Sequence, residues 1–202
     1  MIERTRPAVF LDRDDTLNVN AELDWGLLTR GRDRLRPGDL VDPAHVELLP
    51  GALEACERLV DAGYMLIVVT NQSSVARGGS RIEEVDATNA RLMDLVSRNG
   101  ASLITAAYYS PHHPAGIVQP YNTAHPDRKP GPGMLLRASA EHGIDLSISW
   151  IVGDKQRDVD AGLAAGLAPS RCLLIGGAAK LGDIGAATDV ILAARAAADA
   201  RP

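Results

Sequence analysis

The chain has 202 residues, of which 46% are hydrophobic and 23% charged, as is ordinary for a soluble globular protein. This length allows one domain with a sizeable core, and aliphatic side chains must fill that core because only 3% of residues are aromatic. The formal net charge of -5 argues against a broad nucleic-acid-binding surface, but it leaves room for a small anionic substrate.

Apolar segments alternate with segments of helical periodicity along the chain. The predicted elements are, in order, a strand at 8–11, a helix at 52–63, a strand at 64–70, a helix at 81–100, a strand at 102–109, a helix at 132–143, a strand at 149–153, a helix at 158–166, a strand at 171–176 and an Ala-rich helix from 186 towards the end. This alternation predicts an α/β fold, with a parallel sheet covered by helices on both faces.

Two stretches, 18–49 and 110–131, show no regular pattern, and long loops in compact domains are usually functional. No break in composition marks a second domain, so we expect a single domain over residues 1–202. The two cysteines, Cys56 and Cys172, fall on a helix and a strand, and we expect buried, inert thiols. Without a long apolar segment, the chain is predicted to be a cytoplasmic monomer that binds neither membrane nor nucleic acid.

Polar clusters follow four of the predicted strands. They are Asp12 and Asp14; Thr70, Asn71 and Gln72; Arg128 and Lys129; and Asp154, Lys155 and Asp158. A single aspartate in such a position is commonly a helix cap. Ligands of open parallel sheets, however, bind at the carboxyl ends of the strands. Four clusters at one edge therefore indicate a functional site.

The residue types at this edge suit phosphoryl chemistry. Asp12, Asp14 and Asp154 supply the hard oxygen ligands that Mg²⁺ prefers, and a cation would offset the repulsion between neighbouring carboxylates. A carboxylate is also a competent covalent nucleophile for phosphoryl groups. The hydroxyl of Thr70 and the ammonium of Lys129 can both hold phosphoryl oxygens.

Four motifs, LDRDDTL, VVTNQ, RKPGPGM and VGDKQRD, resemble the motifs of the haloacid dehalogenase (HAD) superfamily of phosphohydrolases, in the same order over residues 9–175. The segments LLPGA, VVTNQSSVARG and PHHP further resemble the branch of heptose bisphosphate and histidinol-phosphate phosphatases. This resemblance implies a capless, Rossmann-like fold of three layers around a central parallel sheet. Only a loop or flap, at 18–49, would follow the first strand.

The resemblance also implies roles for the residues. Asp12 would attack phosphorus and form an aspartyl-phosphate, and Asp14 would serve as general acid and base. Mg²⁺ would bind the carboxylates of Asp12 and Asp154 and the backbone carbonyl of Asp14, while Thr70 and Lys129 hold the phosphoryl oxygens. The resemblance further implies that the substrate contacts are Asn71, Gln72, Ser73, Arg128 and Lys155. Asp158 would not contact the substrate but would orient the side chain of Lys155.

Two departures from the branch concern residues near the nucleophile. Asp15 stands where the branch usually has glycine, and aspartate tolerates a positive φ better than most residues but worse than glycine. The segment 18–49 is longer than the branch needs. Its alternating arginines, Arg30, Arg32, Arg34 and Arg36, belong either to a solvated loop or to a flap over the pocket that meets a second phosphate or acidic group.

A third departure concerns zinc. Members of the branch often carry a Cys-rich zinc loop before RKP, where this chain has Ser110, His112, His125 and Asp127. Serine is a poor zinc ligand and the thiolates are missing, so we do not expect a structural Zn²⁺. A weak site of His112, His125 and Asp127, beside His113, is the alternative.

These features predict a Mg²⁺-dependent phosphomonoester hydrolase that removes the 7-phosphate of D-glycero-D-manno-heptose 1,7-bisphosphate. Histidinol phosphate or another sugar phosphate is the alternative substrate. A catalytically silent HAD-fold binding module is the alternative class, and it is disfavoured because Asp12, Asp14, Lys129 and Asp154 are all present. A polynucleotide phosphatase fits poorly with the acidic net charge.

Overall fold

The computed structural model describes residues 6–29, 31–177, 179 and 181–200. Its strands are β1 (Ala8–Leu11), β2 (Met65–Asn71), β3 (Ser97–Arg98), β4 (Ala101–Ser102), β5 (Ile104–Ser110), β6 (Trp150–Gly153) and β7 (Cys172–Leu174). Its helices are α1 (Trp25–Leu28), α2 (Ala52–Asp61), α3 (Ile82–Leu95), α4 (Gly133–His142), α5 (Gln156–Ala164) and α6 (Ile184–Asp199), with 3-10 turns at Pro43–His45, Leu146–Ile148 and Pro169–Arg171.

Five parallel strands form the main sheet in the order β5-β2-β1-β6-β7, which confirms the predicted α/β fold. The central strand β1 ends beside its two neighbours, since Leu11 pairs with Val68 of β2 and Val152 of β6. All five strands therefore present their carboxyl ends at the same edge, and the polar clusters follow four of them.

Side chains of β1 alternate between the two faces of the sheet, as a strand requires. Val9 and Leu11 pack into a core that α2, α3 and α6 cover. Ala8 and Phe10 pack into a second core under α4 and α5. Because all four residues are fully buried, β1 is apolar at every position, which is typical of a strand covered on both faces.

The segment after α3 differs from the prediction. The helix was expected to continue to Gly100, but it ends at Leu95, and a two-stranded antiparallel hairpin of β3 and β4 follows. Asn99 and Gly100 form its turn with φ of 53° and 78°, the left-handed conformation that an Asn-Gly hairpin turn requires. The Asn-Gly pair therefore marks a hairpin rather than the end of a longer helix.

The predicted burial of the two cysteines is confirmed. Cys56 is fully buried, and burial raises its thiol pKa to about 12. Cys172 is also buried, and burial raises its thiol pKa to about 11. Both thiols are therefore protonated at neutral pH. In the described part of the chain, no helix is both long and apolar enough to cross a bilayer.

Gly162 allows α5 to lie close against the sheet. A Cβ added to this residue would lie 2.5 Å from Ile151 Cγ2 and 2.9 Å from Cys172 Sγ. We expect Gly162→Ala to lower the free energy of unfolding by about 1–3 kcal/mol, because overpacking outweighs the better helix propensity of alanine. Chemical denaturation would measure the change. Gly182→Ala is the control, since nothing lies within 4 Å of its added Cβ. Equal stability of both variants would contradict this packing account.

Candidate active site

A buried ion-pair cluster joins the ends of β1 and β2 to the start of α5. Lys129 is 1% exposed, and its Nζ lies 2.7 Å from Asp12 Oδ1 and 2.6 Å from Asp158 Oδ1. The same ammonium donates a hydrogen bond of 2.6 Å to the carbonyl oxygen of Val69 at the end of β2. Although burial opposes its charge, the carboxylates of Asp12 and Asp158 raise the pKa of Lys129 above its usual value. The lysine therefore stays charged in the interior.

Backbone interactions fix the members of this cluster. The N–H of Asp12 donates to the carbonyl of Val152 at 3.0 Å, which extends the sheet by one residue past β1. Asn71 and Lys129 form a reciprocal pair, since Asn71 Nδ2 donates to the carbonyl oxygen of Lys129 at 2.9 Å and the N–H of Lys129 donates to Asn71 Oδ1 at 3.0 Å. This pair ties the loop before α4 to the end of β2.

Asp158 joins the cluster from the first turn of α5. Its Oδ2 accepts a hydrogen bond of 3.0 Å from the N–H of Lys155, so the carboxylate also caps the helix. Its contact to the Lys155 side chain was expected, but the ammonium of Lys155 pairs with Asp154 Oδ2 at 2.5 Å instead. Asp158 therefore orients Lys129 and the start of α5.

The acidic residues fit a divalent cation. Asp12, Asp154 and Asp158 form the one group of three or more such side chains, among the described residues, whose ligand atoms all lie within 4.8 Å of one another. Asp154 Oδ1 is buried and accepts no hydrogen bond from the described residues, which leaves it free for a metal. Burial, partly offset by Lys155, raises the pKa of Asp154 to about 6.

Asp14 is held by Gln72 and by Arg13, a residue that was not among the predicted site residues. Arg13 Nη2 lies 3.0 Å from Asp14 Oδ1, and Gln72 Nε2 donates to Asp14 Oδ2 at 3.0 Å. Arg13 is fully buried and also donates to Asn89 Oδ1 at 3.1 Å and to the carbonyl of Leu40 at 3.2 Å. Burial raises the pKa of Asp14 although the charge of Arg13 opposes it. The only feature of the sequence that points to this role of Arg13 is its position between Asp12 and Asp14.

Thr70 and Gln72 are buried residues that form a chain of hydrogen bonds with Asp14. Thr70 is 1% exposed, and its Oγ1 accepts a hydrogen bond of 2.9 Å from Gln72 Nε2. Gln72 was expected among the substrate contacts, but it is buried and bridges Asp14 to Thr70. It therefore positions the candidate acid and the phosphoryl-binding hydroxyl relative to each other.

A cleft of about 230 Å³ opens at this edge of the sheet. It brings together the predicted residues Asp14, Asn71, Ser73, Arg128, Asp154 and Lys155. The segment 18–49 supplies a second wall with Asn20, Pro37, Gly38 and Asp39. A further lining residue, Arg157, was not singled out by the sequence.

The described arginines of the 18–49 segment do not line this cleft. Arg32 Nη2 contacts Glu84 Oε1 at 2.7 Å and the carbonyl of Gly79 at 3.0 Å, which ties the segment to α3. Arg32, Arg34 and Arg36 are not among the residues that line the cleft, and Arg30 lies outside the described residues. The segment therefore reaches the cleft through residues 37–39 instead.

Asp15 has a φ of 57°, the conformation in which glycine would be less strained. Its carboxylate compensates, because Oδ1 accepts hydrogen bonds from the N–H groups of Asn20 at 3.0 Å and Ala21 at 2.7 Å. Glycine could not make these bonds. Asp15 therefore anchors the start of the 18–49 segment beside the site.

Protein contacts hold the loop at 110–131. The rings of His112 and His125 stack with centroids 4.0 Å apart, and Arg137 Nη1 lies 2.6 Å from Asp127 Oδ2. In the described part of the chain, His112, His125 and Asp127 do not gather their ligand atoms within 4.8 Å of one another. Ser110 is fully buried at the end of β5.

An aspartate and a buried lysine lie at the carboxyl edge of a parallel α/β sheet, next to an acidic cluster that could hold a metal ion. This arrangement indicates the class of metal-dependent phosphohydrolases. The comparisons with known proteins agree. A family model described as HAD-hydrolase-like matches residues 127–190.

Curated relatives match most of the chain. A D-glycero-β-D-manno-heptose-1,7-bisphosphate 7-phosphatase of Rhodopseudomonas palustris is 38% identical over 162 residues, which are 80% of this chain and 81% of the relative. The enzymes of that name from Yersinia pestis and Escherichia coli are each 36% identical, over 80% and 79% of this chain and 77% and 74% of the relatives. The chain therefore belongs to the HAD-like hydrolase family, in its phosphatase branch.

Solved structures share the fold. A candidate HAD-like phosphatase from Mesorhizobium loti is 35% identical, with a TM-score of 0.76 over 95% of this chain and 87% of that chain. A D,D-heptose 1,7-bisphosphate phosphatase from B. bronchiseptica, solved with magnesium and phosphate, has a TM-score of 0.71 at 24% identity, over 93% and 99% of the two chains.

Gly153 leaves room for Asp158 beside Lys129. A Cβ at this residue would lie 2.4 Å from Asp158 Oδ2 and 2.5 Å from its Cγ. We expect Gly153→Ala to displace the Asp158 carboxylate and to lower kcat at least about tenfold, as small displacements in catalytic sites do. Steady-state kinetics and a thermal melt would separate this effect from unfolding, with Gly182→Ala as the control. A folded variant with full kcat would contradict the role of Asp158.

The 110–131 loop leads to a prediction about zinc. Because side-chain stacking and the Arg137–Asp127 ion pair hold the loop, we expect substoichiometric zinc in the purified protein. Elemental analysis would measure it, and a melt before and after treatment with a chelator would measure its effect on stability. Stoichiometric zinc whose removal lowers the melting temperature would show that the loop is a metal site.

Proposed function

We propose that the chain removes the 7-phosphate of D-glycero-D-manno-heptose 1,7-bisphosphate through an aspartyl-phosphate. The observation that carries this proposal is the buried Asp12–Lys129 pair, 2.7 Å apart, beside an acidic cluster whose member Asp154 lines a cleft. The names of the relatives that match 80% of the chain support the heptose substrate.

In the first step, an Asp12 oxygen attacks phosphorus and forms a new P–O bond, while the bond from phosphorus to the sugar oxygen breaks. Asp14 donates its proton to that leaving oxygen. In the second step, water attacks the phosphorus of the aspartyl-phosphate, Asp14 takes a proton from it, and the bond to Asp12 breaks. The products are inorganic phosphate and the heptose 1-phosphate, in which the leaving oxygen has become the 7-hydroxyl.

The remaining groups stabilise the transferring phosphoryl group. Lys129 supplies a fixed positive charge, and its bond to Val69 and its pairing with Asp158 hold it in place. The hydroxyl of Thr70 would hold another oxygen of the same phosphoryl group. The backbone carbonyl of Asp14 and the carboxylates of Asp12 and Asp154 would hold Mg²⁺, which when bound supplies positive charge against the phosphoryl oxygens.

The substrate beyond the reacting phosphate would be recognised at the rim of the cleft. Asn71, Ser73, Arg128 and Lys155 line this rim and offer donors to hydroxyl and phosphate groups. We also propose that 18–49 acts as a flap, because its residues 37–39 form one wall of the cleft. Histidinol phosphate is the second candidate and has less support, because its cationic amine would face Arg128.

Asp12→Asn tests the proposal and separates an enzyme from a silent binding module. We expect the protein to hydrolyse the heptose bisphosphate with Mg²⁺ and to lose activity in EDTA. The variant should retain its fold by circular dichroism and lose at least about a thousandfold in kcat, because the nucleophile is gone. Asp14→Asn, which leaves the Asp12–Lys129 pair intact, serves as a second variant if the first does not fold.

Two outcomes would contradict the proposal. Turnover of histidinol phosphate or another metabolite in preference to the heptose would contradict the proposed substrate, but it would leave the proposed reaction in place. No turnover of any phosphomonoester by folded protein with Mg²⁺ would favour the silent module.

A further inference from the structure

Two arginines face the same cleft without a carboxylate partner. Arg128 comes from the loop before α4, and Arg157 comes from the first turn of α5. Among the residues that the structure describes, no Asp or Glu side chain forms a salt bridge with either guanidinium. The only hydrogen bond that the Arg128 side chain donates within the described residues is to the carbonyl of His112, at 3.2 Å.

The two guanidinium groups are close enough to repel each other. Burial lowers the pKa of Arg128, and the charges of Arg157 and Arg77 lower it further. Arg77 is neutralised, because its Nη2 lies 2.6 Å from Asp39 Oδ1. The other cation of the cleft, Lys155, is likewise neutralised by Asp154 at 2.5 Å. Arg128 and Arg157 are therefore left as an uncompensated positive pair in a chain of net charge -5.

The position of Arg157 is unfavourable for helix stability. It is the second residue of α5, where the helix dipole favours acidic side chains and disfavours cations. Its side chain is exposed, so apolar packing does not explain it either. A residue that repels its neighbour and opposes the dipole is well explained by an anionic ligand that binds both guanidinium groups.

We infer that Arg157 is a substrate-specificity residue that, together with Arg128, binds the distal phosphate of a sugar bisphosphate while the other phosphate reacts at Asp12. The inference rests on the proposed function and deepens it, because it assigns to the distal phosphate a residue, Arg157, that the proposed function does not use. It depends on the cleft, which both arginines line together with Asp154 of the acidic cluster.

The test compares a bisphosphate with a monophosphate that keeps only the reacting group. D-glycero-D-manno-heptose 1,7-bisphosphate and the corresponding heptose 7-phosphate form one such pair, and fructose 1,6-bisphosphate and fructose 6-phosphate form another. We expect the wild-type protein to prefer the bisphosphate. In Arg157→Ala, kcat/KM for the bisphosphate should fall about tenfold or more, mainly through KM, and that for the monophosphate should change little.

Matched controls separate local from general charge effects. Arg157→Lys keeps the charge and loses the two-pronged geometry, so it should recover only part of the preference. Arg91→Ala removes one exposed positive charge on α3, away from the cleft, and should leave both substrates unchanged. Equal losses for bisphosphate and monophosphate in Arg157→Ala, or no loss for either, would overturn the inference.

The outcomes also distinguish this inference from the proposed function. Turnover of another sugar bisphosphate, but not of the heptose, would refute the heptose assignment, and the Arg157 comparison would then be made on the accepted pair. A wild-type protein that prefers monophosphates, or that hydrolyses no bisphosphate at all, would overturn the inference itself.

Discussion

The buried ammonium of Lys129 is the interaction on which the site depends. It binds a carboxylate from the end of β1, another from the start of α5 and a carbonyl from the end of β2. Removing one partner of such a buried pair typically costs about 3–5 kcal/mol, because the other charge is left uncompensated. The same contacts that fix the sheet edge therefore also fix the nucleophile.

Strand pairing, a glycine and a pair of hydrogen bonds place the groups that contact Lys129. Parallel pairing brings the ends of β1, β2 and β6 together. Gly153 leaves space for the Asp158 carboxylate. The side chain of Asn71 forms two hydrogen bonds with the backbone of Lys129. A phosphoryl group entering the cleft meets a pre-positioned cation, so little reorganisation is needed during the reaction.

Much of this arrangement could be predicted from the sequence. Apolar periodicity located the five strands of the sheet and the five helices from residue 52 onwards. The rule that ligands bind at the carboxyl ends of strands placed Asp12, Lys129 and Asp154 at one edge. The hairpin at Asn99-Gly100 was missed because its turn follows a long helical pattern directly. Local sequence patterns therefore predict a helix or strand well where a single periodicity runs through the whole element.

Other features depend on contacts that no local pattern records. Arg13 is buried because Leu40 and Asn89, distant in the sequence, accept its hydrogen bonds. Gln72 faces Asp14 and Thr70 instead of the cleft for the same reason, since its amide completes a network between two strand ends. Arg157 gains its significance only because it lines the same cleft as Arg128. Long-range packing, not residue type, assigns these roles.

The central claim is that Asp12 becomes covalently phosphorylated during turnover. Rapid acid quenching during hydrolysis of the bisphosphate, followed by peptide mass spectrometry, tests it most directly. The account predicts a peptide containing Asp12 that carries one added phosphoryl group and loses it on treatment with hydroxylamine. Full turnover without any phosphorylated intermediate, together with undiminished activity of Asp12→Asn, would contradict it.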